Sequence, residues 1–182
     1  MKKTGVWLSA MVMASALAGC GEDAAPAPNV ESPVRQQVVE DAKEPDAKAL
    51  AVGEAVIAPR LGARQESMGA IAFDATHRLG VHPGRSASSW VDINVGGLRT
   101  LELFPVIRKL SPACAANPQA GIVALKLQLD GAPVGLPLDI DRYWQKKVAL
   151  DVSGAGSLRV EVGNGNGSAA CDWFAMGFGK AE

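Results

Sequence analysis

The sequence predicts an all-β fold, a β-sandwich over residues 67–182 that follows a disordered N-terminal tether. Apolar and polar residues alternate in several short segments, glycine-rich turns separate these segments, and no convincing helical pattern interrupts them. Alternation with a period of two is typical of strands that bury one face. Many short strands between turn residues are typical of a sandwich, and a domain of about 115 residues is long enough for one hydrophobic core.

The alternating segments define the residues that we expect to face the core. Apolar residues occupy every second position, and mostly polar residues stand between them. The expected core residues are Val91, Ile93, Val95, Val123, Leu125, Leu127, Leu129, Val148, Leu150, Val152, Leu158, Val160 and Val162. Asp130 and Gly131 separate two of these segments and suit a two-residue hairpin, because both central residues of a type I′ turn have positive φ.

The N-terminus predicts a bacterial lipoprotein. Lys2 and Lys3 precede an uncharged stretch over residues 5–18, which has the length of a signal-peptide hydrophobic region and is too short to span a membrane. Residues 17–20 read Leu-Ala-Gly-Cys, which resembles the lipobox of bacterial lipoprotein signals. The resemblance implies that residues 1–19 are a cleaved signal peptide and that Cys20 carries a lipid anchor. An ordinary signal peptide with an incidental cysteine is the alternative.

Residues 20–66 are predicted to be a lipidated flexible linker. The stretch begins with alanine and proline, continues with mixed charge and contains no aromatic residue. Such a segment buries too little apolar surface to offset the entropy lost on ordering. We therefore expect no packed structure over residues 38–51, and a tether that holds the domain away from the membrane. Gly21 after the cysteine resembles Gram-negative lipoproteins of the outer membrane, which is the expected location.

The cysteine count predicts a disulfide. The chain has three cysteines, an awkward number for a secreted protein. Lipidation would use Cys20 and leave Cys114 and Cys171 in an oxidising compartment, where we expect them to pair. Two separate buried thiols are the alternative.

Composition argues against several classes of function. The formal net charge is -1, which provides no basic field for nucleic acid. The glycine run at residues 163–167 lacks the spacing of a dinucleotide-binding loop. Two histidines and one tyrosine limit acid–base and metal chemistry, and no nucleophile motif is present. We expect no enzymatic activity, no metal and no cofactor.

The order of motifs along the domain resembles a known family. The motifs are Gly-Val-His at residues 80–82, Ser-Trp-Val-Asp-Ile at 89–93, Leu-Gln-Leu-Asp-Gly at 127–131, Leu-Asp-Val-Ser-Gly at 150–154, Leu-Arg-Val-Glu-Val at 158–162, and a closing Asp-Trp at 172–173. Together they resemble NPCBM, the novel putative carbohydrate-binding module, over about residues 68–179. The resemblance implies a galactose-binding-like jelly roll that recognises sugars without catalysis, through loops at one end.

Two stretches differ from the family pattern. Residues 104–107 stand where the family often has Gly-Val-Asp, and residues 169–171 replace an Asp-His pair before the closing Asp-Trp. These differences favour an alternative function, in which the sandwich is a structural or protein-interaction module that contacts an envelope protein and binds no sugar. Sequence alone leaves both functions open, because a fold does not determine a function.

A sugar site needs an aromatic face and a few rigid hydrogen-bonding groups. Arg142, Tyr143 and Trp144 supply both kinds of group in a loop between two strands, and we predict that this loop stacks on the sugar. The alternative is that the aromatic residues cover the sandwich edge. Other candidate ligand contacts are His82, Arg85, Asn164 and Asn166. For His82, a structural hydrogen bond to buried backbone is the favoured alternative.

The closing motif receives a structural interpretation. Trp173 is expected to lie in the core, because a bulky residue between the two sheets commonly anchors a sandwich. Asp172 is expected to cap a turn or to bind calcium. Calcium prefers six to eight oxygen ligands, and the absence of a second nearby carboxylate argues against a calcium site.

Overall fold

The computed structural model describes residues 37–108, 110–166 and 171–182. The predicted signal peptide, Cys20 and the linker up to residue 36 lie outside these residues. In chain order the described elements are β1 (Gln37–Asp41), α1 (Ala47–Ile57), a 3-10 turn (Ala58–Arg60), β2 (Leu61–Gln65), β3 (Ala72–Phe73), β4 (Leu79–Val81), β5 (Ser89–Asn94), β6 (Thr100–Ile107), α2 (Pro112–Ala115), β7 (Val123–Leu129), β8 (Ala132–Pro133), β9 (Leu138–Ile140), β10 (Lys146–Asp151), β11 (Ser157–Asn164) and β12 (Phe174–Ala181).

The strands form two antiparallel sheets, which confirms the predicted β-sandwich. The first sheet has the order β1-β10-β6-β12-β4-β3. The second has the order β2-β5-β11-β7-β8, and β9 also pairs with β7. The core between the sheets contains every residue that alternation predicted, together with Phe174, Met176 and Phe178 of β12.

The Asp130–Gly131 hairpin is confirmed. Leu129 pairs with Ala132 across a two-residue loop. Asp130 has φ 49° and Gly131 has φ 82°, as a type I′ turn requires. The Asp130 carboxylate also accepts hydrogen bonds from the backbone N–H groups of Gly156 and Ser157, at 3.0 and 2.9 Å.

The prediction of an unpacked linker is wrong for residues 37–65. The strand β1 pairs with β10 from Gln37, opposite Leu150, to Asp41, opposite Lys146. The strand β2 pairs with β5 at the edge of the second sheet. Both segments hydrogen-bond to edges of the sandwich, so their order depends on distant partners and not on their own hydrophobicity.

The helix α1 covers the outer face of β12. Asp46 caps its first turn by accepting a hydrogen bond from the N–H of Ala49 at 2.8 Å. Leu50, Gly53 and Ile57 are its buried residues. A Cβ at Gly53 would lie 2.0 Å from the carbonyl oxygen of Phe178, so the close approach of helix and strand requires glycine here.

The charged residues of this stretch pair with the sandwich. Three acidic side chains that precede or belong to α1 reach basic partners on other elements. The pairs are Glu40 with Lys147, Glu44 with Arg78, and Glu54 with His77. Mixed charge therefore does not exclude packing in this segment. Within the described residues, no helix has both the length and the apolar character needed to cross a membrane.

Candidate functional site

The loops that follow β4, β6, β9 and β11 project from one end of the sandwich, which we call the loop end. In the first sheet, Val81 and Ile107 both pair with Phe174, so β4 and β6 finish where β12 begins. In the second sheet, Asn164 at the end of β11 pairs with Val123 at the start of β7. The register thus brings segments that are distant in sequence to one surface.

A disulfide joins two of these loops, as the cysteine count predicted. Cys114 lies in α2, after β6, and Cys171 precedes β12. Their Cα atoms are 5.7 Å apart, and 57 positions separate them in sequence. The Ser111 hydroxyl accepts a hydrogen bond from the N–H of Cys114 at 3.3 Å and so caps α2. The disulfide restrains the loop that leads into Asp172 and Trp173.

Asp172 caps a turn, which was one of its two expected roles. Its Oδ1 accepts hydrogen bonds from the N–H groups of Gly121 and Ile122, at 2.9 and 3.2 Å. Its Oδ2 is buried and has no hydrogen-bond partner in the described part of the chain. Burial raises the pKa of the Asp172 carboxyl, whereas the two hydrogen bonds and nearby His82 act in the opposite direction.

The acidic residues that the structure describes do not form a cluster suited to a metal. Across residues 37–108, 110–166 and 171–182, no three His, Cys, Asp or Glu side chains come together as a metal-binding group.

The prediction that Trp173 lies in the core is wrong. Its side chain is 52% exposed, although Asp172 and Phe174 on either side are buried. The N–H of Phe174 donates to the carbonyl of Asp172 at 2.9 Å, which closes a three-residue turn with Trp173 at its tip. The N–H of Arg108 donates to the carbonyl of Trp173 at 2.7 Å and fixes this turn. Phe174 takes the core position instead.

His82 and Trp173 meet at the loop end. Their ring centroids are 4.7 Å apart and their planes form an angle of 80°, an edge-to-face contact. The Nδ1 of His82 lies 2.7 Å from the carbonyl oxygen of Pro83, so it carries the proton and donates to this oxygen. The expected hydrogen bond to backbone is therefore confirmed. In a neutral imidazole, the Nε2 is then an acceptor.

Asn164 and Asn166 hold loops together. The side-chain amide of Asn164 donates to the carbonyls of Gly84 and Arg85, both at 2.9 Å. The side-chain amide of Asn166 donates to the carbonyl of Gln119. The Arg85 side chain is exposed beside a depression of about 260 Å³. Ligand contacts by Arg85, Asn164 and Asn166 stay predictions.

The three candidate residues of the loop before β10 lie in different surroundings. Arg142 donates to the carbonyl of Ala115 at 3.0 Å, and its guanidinium lies 5.1 Å from the ring centre of Tyr143, which is 71% exposed. Trp144 is half-buried and packs against the core. It lines a cavity beside Phe104, on the outer face of the first sheet. Sugar stacking by this loop stays a prediction. The structure also brings together His82 and Trp173, which the sequence did not group as one site.

Comparison with known proteins identifies the fold. No protein-family model matches the chain, and no curated protein is significantly similar to it in sequence. The CBM51 module from Clostridium perfringens GH95, solved in complex with methyl-galactose, aligns with a TM-score of 0.52 and 16% identity, over 66% of this chain and 92% of that one. CBM51-2 with the INT domains of C. perfringens ZmpB gives a TM-score of 0.51 at 14% identity, over 65% of this chain and 30% of that one.

A third solved structure agrees with these two. CBM51-2 in complex with GlcNAc, again with the INT domains of ZmpB, has a TM-score of 0.51 at 14% identity and covers 66% of this chain. The chain spans 30% of the length of either ZmpB structure. At such low identity the likeness establishes the fold alone. The protein therefore has the β-sandwich fold of the CBM51 modules.

Proposed function

We propose that this protein is a membrane-anchored, non-catalytic carbohydrate-binding module of the NPCBM type, with its sugar site at Trp173 and His82. One observation carries the assignment of the site. Trp173 is 52% exposed at the tip of a braced turn, whereas both of its neighbours in sequence are buried. Exposing an indole in this way forgoes the free energy of burying it, and sugar recognition accounts for that loss.

The chemistry around Trp173 suits a pyranose ring. The apolar face of the sugar would pack on the indole, and the Nε2 of His82 would accept a hydrogen bond from a hydroxyl. The disulfide and the Asp172 hydrogen bonds hold the loops in place, so little conformational entropy is lost on binding. Two of the CBM51 structures contain a sugar, methyl-galactose in one and GlcNAc in the other, which makes these two sugars the first ligands to test.

The Trp173→Ala variant tests this site. We expect it to bind methyl-galactose or GlcNAc at least about 30-fold more weakly, because truncating a central aromatic contact costs about 2 kcal/mol or more. Isothermal titration of the full chain, purified in a detergent without a sugar headgroup, measures the change. The melting temperature should change little, because the side chain is half-exposed.

Trp90→Ala is the matched control. Trp90 is also half-buried, but its ring on β5 lies 3.9 Å from the Arg159 guanidinium, and its indole N–H donates to the Gln65 side chain at 3.2 Å. This variant should keep the wild-type affinity. If the folded wild-type protein binds no glycan on a broad array, the sugar site does not exist. The structural or protein-interaction module then becomes the better assignment, and pull-down from envelope extracts is the next experiment.

Membrane attachment through Cys20 is a separate part of the proposal, supported by the lipobox-like residues 17–20. In a Gram-negative host, Cys20→Ser should abolish incorporation of labelled palmitate and move the protein from the outer-membrane fraction to the soluble fraction. Several acyl chains on one cysteine give stable anchoring, so loss of the cysteine should release the protein. Cys114→Ser is the control and should keep the label. Labelled palmitate on the Cys20→Ser protein would contradict the proposed anchor.

A further inference from the structure

A cavity lies on the outer face of the first sheet, between β6 and the segment that joins β1 to α1. Its volume is about 300 Å³, at the lower limit of the small-molecule sites found in proteins. It is lined by Phe104 and Val106 of β6, by Trp144 in the loop before β10, and by residues 42–44, which follow β1. We propose that this cavity is a second saccharide subsite, which accepts one pyranose ring of a neutral glycan.

The walls of the cavity are held in place. The N–H of Ala42 donates to the carbonyl of Gln145 at 3.2 Å, which links the segment after β1 to the segment before β10. The N–H of Trp144 donates to the carbonyl of Asp141 at 3.1 Å, and its indole N–H donates to the carbonyl of Lys146 at 2.8 Å. The aromatic wall is therefore oriented before any ligand arrives, which lowers the entropic cost of binding.

The lining combines the two kinds of group that a sugar requires. Trp144 and Phe104 supply aromatic surface, and polar side chains stand around them. These polar residues are Lys43, Glu44, Gln145 and Lys146. They include ammonium and amide donors as well as carboxylate and amide acceptors, which match the mixed donors and acceptors of sugar hydroxyls.

The charges at the rim argue for a polar occupant. Glu44 is paired with Arg78, and the Lys146 ammonium lies 6.0 Å from the centre of the Trp144 ring. A purely apolar ligand would remove these charged groups from water without replacing their hydrogen bonds, which is unfavourable. A hydroxyl-rich ring avoids this penalty while it packs its apolar face on the aromatic side chains.

The cavity is distinct from the Trp173 site, because neither Trp173 nor His82 lines it. The inference takes only its ligand class from the proposed function. Titration of the full chain with galactose- and GlcNAc-terminated oligosaccharides should give two sites per chain. Trp144→Ala should weaken one site at least about tenfold and leave the other unchanged. Trp90→Ala is again the matched control, because Trp90 is a half-buried tryptophan that does not line the cavity.

A second variant keeps the test valid if Trp144→Ala fails to fold. The Gln145 side chain is exposed at the rim, and only its backbone carbonyl supports the fold, so Gln145→Ala should fold normally and weaken the same site. One site per chain, removed by Trp173→Ala and unaffected by Trp144→Ala and Gln145→Ala, would overturn the inference and leave the proposed function intact. Binding that is lost in the Trp144 variant but not in the Trp173 variant would support the cavity and refute the loop-end site.

Discussion

Replacing both Cys114 and Cys171 with serine is expected to lower the free energy of unfolding by about 4 kcal/mol. The disulfide closes a loop whose ends are 57 positions apart, and in the chain-entropy description a cross-link of this span restricts the unfolded chain by about that amount. Urea unfolding of the wild type and the double variant, under non-reducing conditions, measures the difference. The variant should also bind sugar more weakly, because Cys171 leads directly into Asp172 and Trp173.

The wild type in a reducing buffer provides the control for this expectation. It should unfold at the same urea concentration as the double variant, and the double variant should not respond to the reductant. Cys171 has φ 68°, a left-handed backbone conformation that is uncommon for a residue with a side chain. The disulfide and the Asp172 hydrogen bonds maintain this conformation. Equal urea midpoints for the oxidised and reduced wild type would contradict the stabilising role.

Replacing Ile57 with alanine should cost about 3 kcal/mol of stability, within the range measured for truncating fully buried aliphatic residues. Ile57 is 0% exposed and belongs to the central core, although it lies in a stretch whose composition is typical of a linker. Thermal and urea unfolding of Ile57→Ala against the wild type measure the change. The result tests whether α1 is an integral part of the sandwich.

Val52→Ala is the matched control on the same helix. Val52 is 60% exposed, and its truncation should change the free energy of unfolding by no more than about 0.5 kcal/mol. If the Ile57 and Val52 variants are equally stable, α1 does not pack on the sandwich in solution.

The central strands could be predicted from the sequence because each buries one face. Val160 of β11 is buried while its neighbours Arg159 and Glu161 are partly exposed, and this difference produces the alternation. The strand β12 shows no alternation of apolar and polar residues. Its residues Phe174–Phe178 are all buried, because the core covers one face of the strand and α1 packs on the other. Elements at the sheet edges were missed, because most of β1 and β2 is exposed and their pairing with β10 and β5 gives no alternating pattern in the sequence.

The candidate site was predicted only in part. Resemblance to NPCBM identified His82 and Trp173 as motif residues, but the exposure of Trp173 depends on a turn that a backbone hydrogen bond closes, and side-chain patterns do not reveal it. Sugar stacking by Trp144 stays a prediction, and the structure places this residue beside a cavity. Its partner Phe104 lies on a strand 40 positions away in sequence, and only the tertiary structure brings the two together.

The direction of β1 has a consequence for how the protein would face its surroundings. Because β1 runs antiparallel to β10, Asp41 lies at the loop end and Gln37 lies toward the opposite end of the sandwich. The polypeptide thus enters the sandwich from the side remote from Trp173. A support attached at the Gln37 end of the sandwich would therefore leave the Trp173 surface accessible.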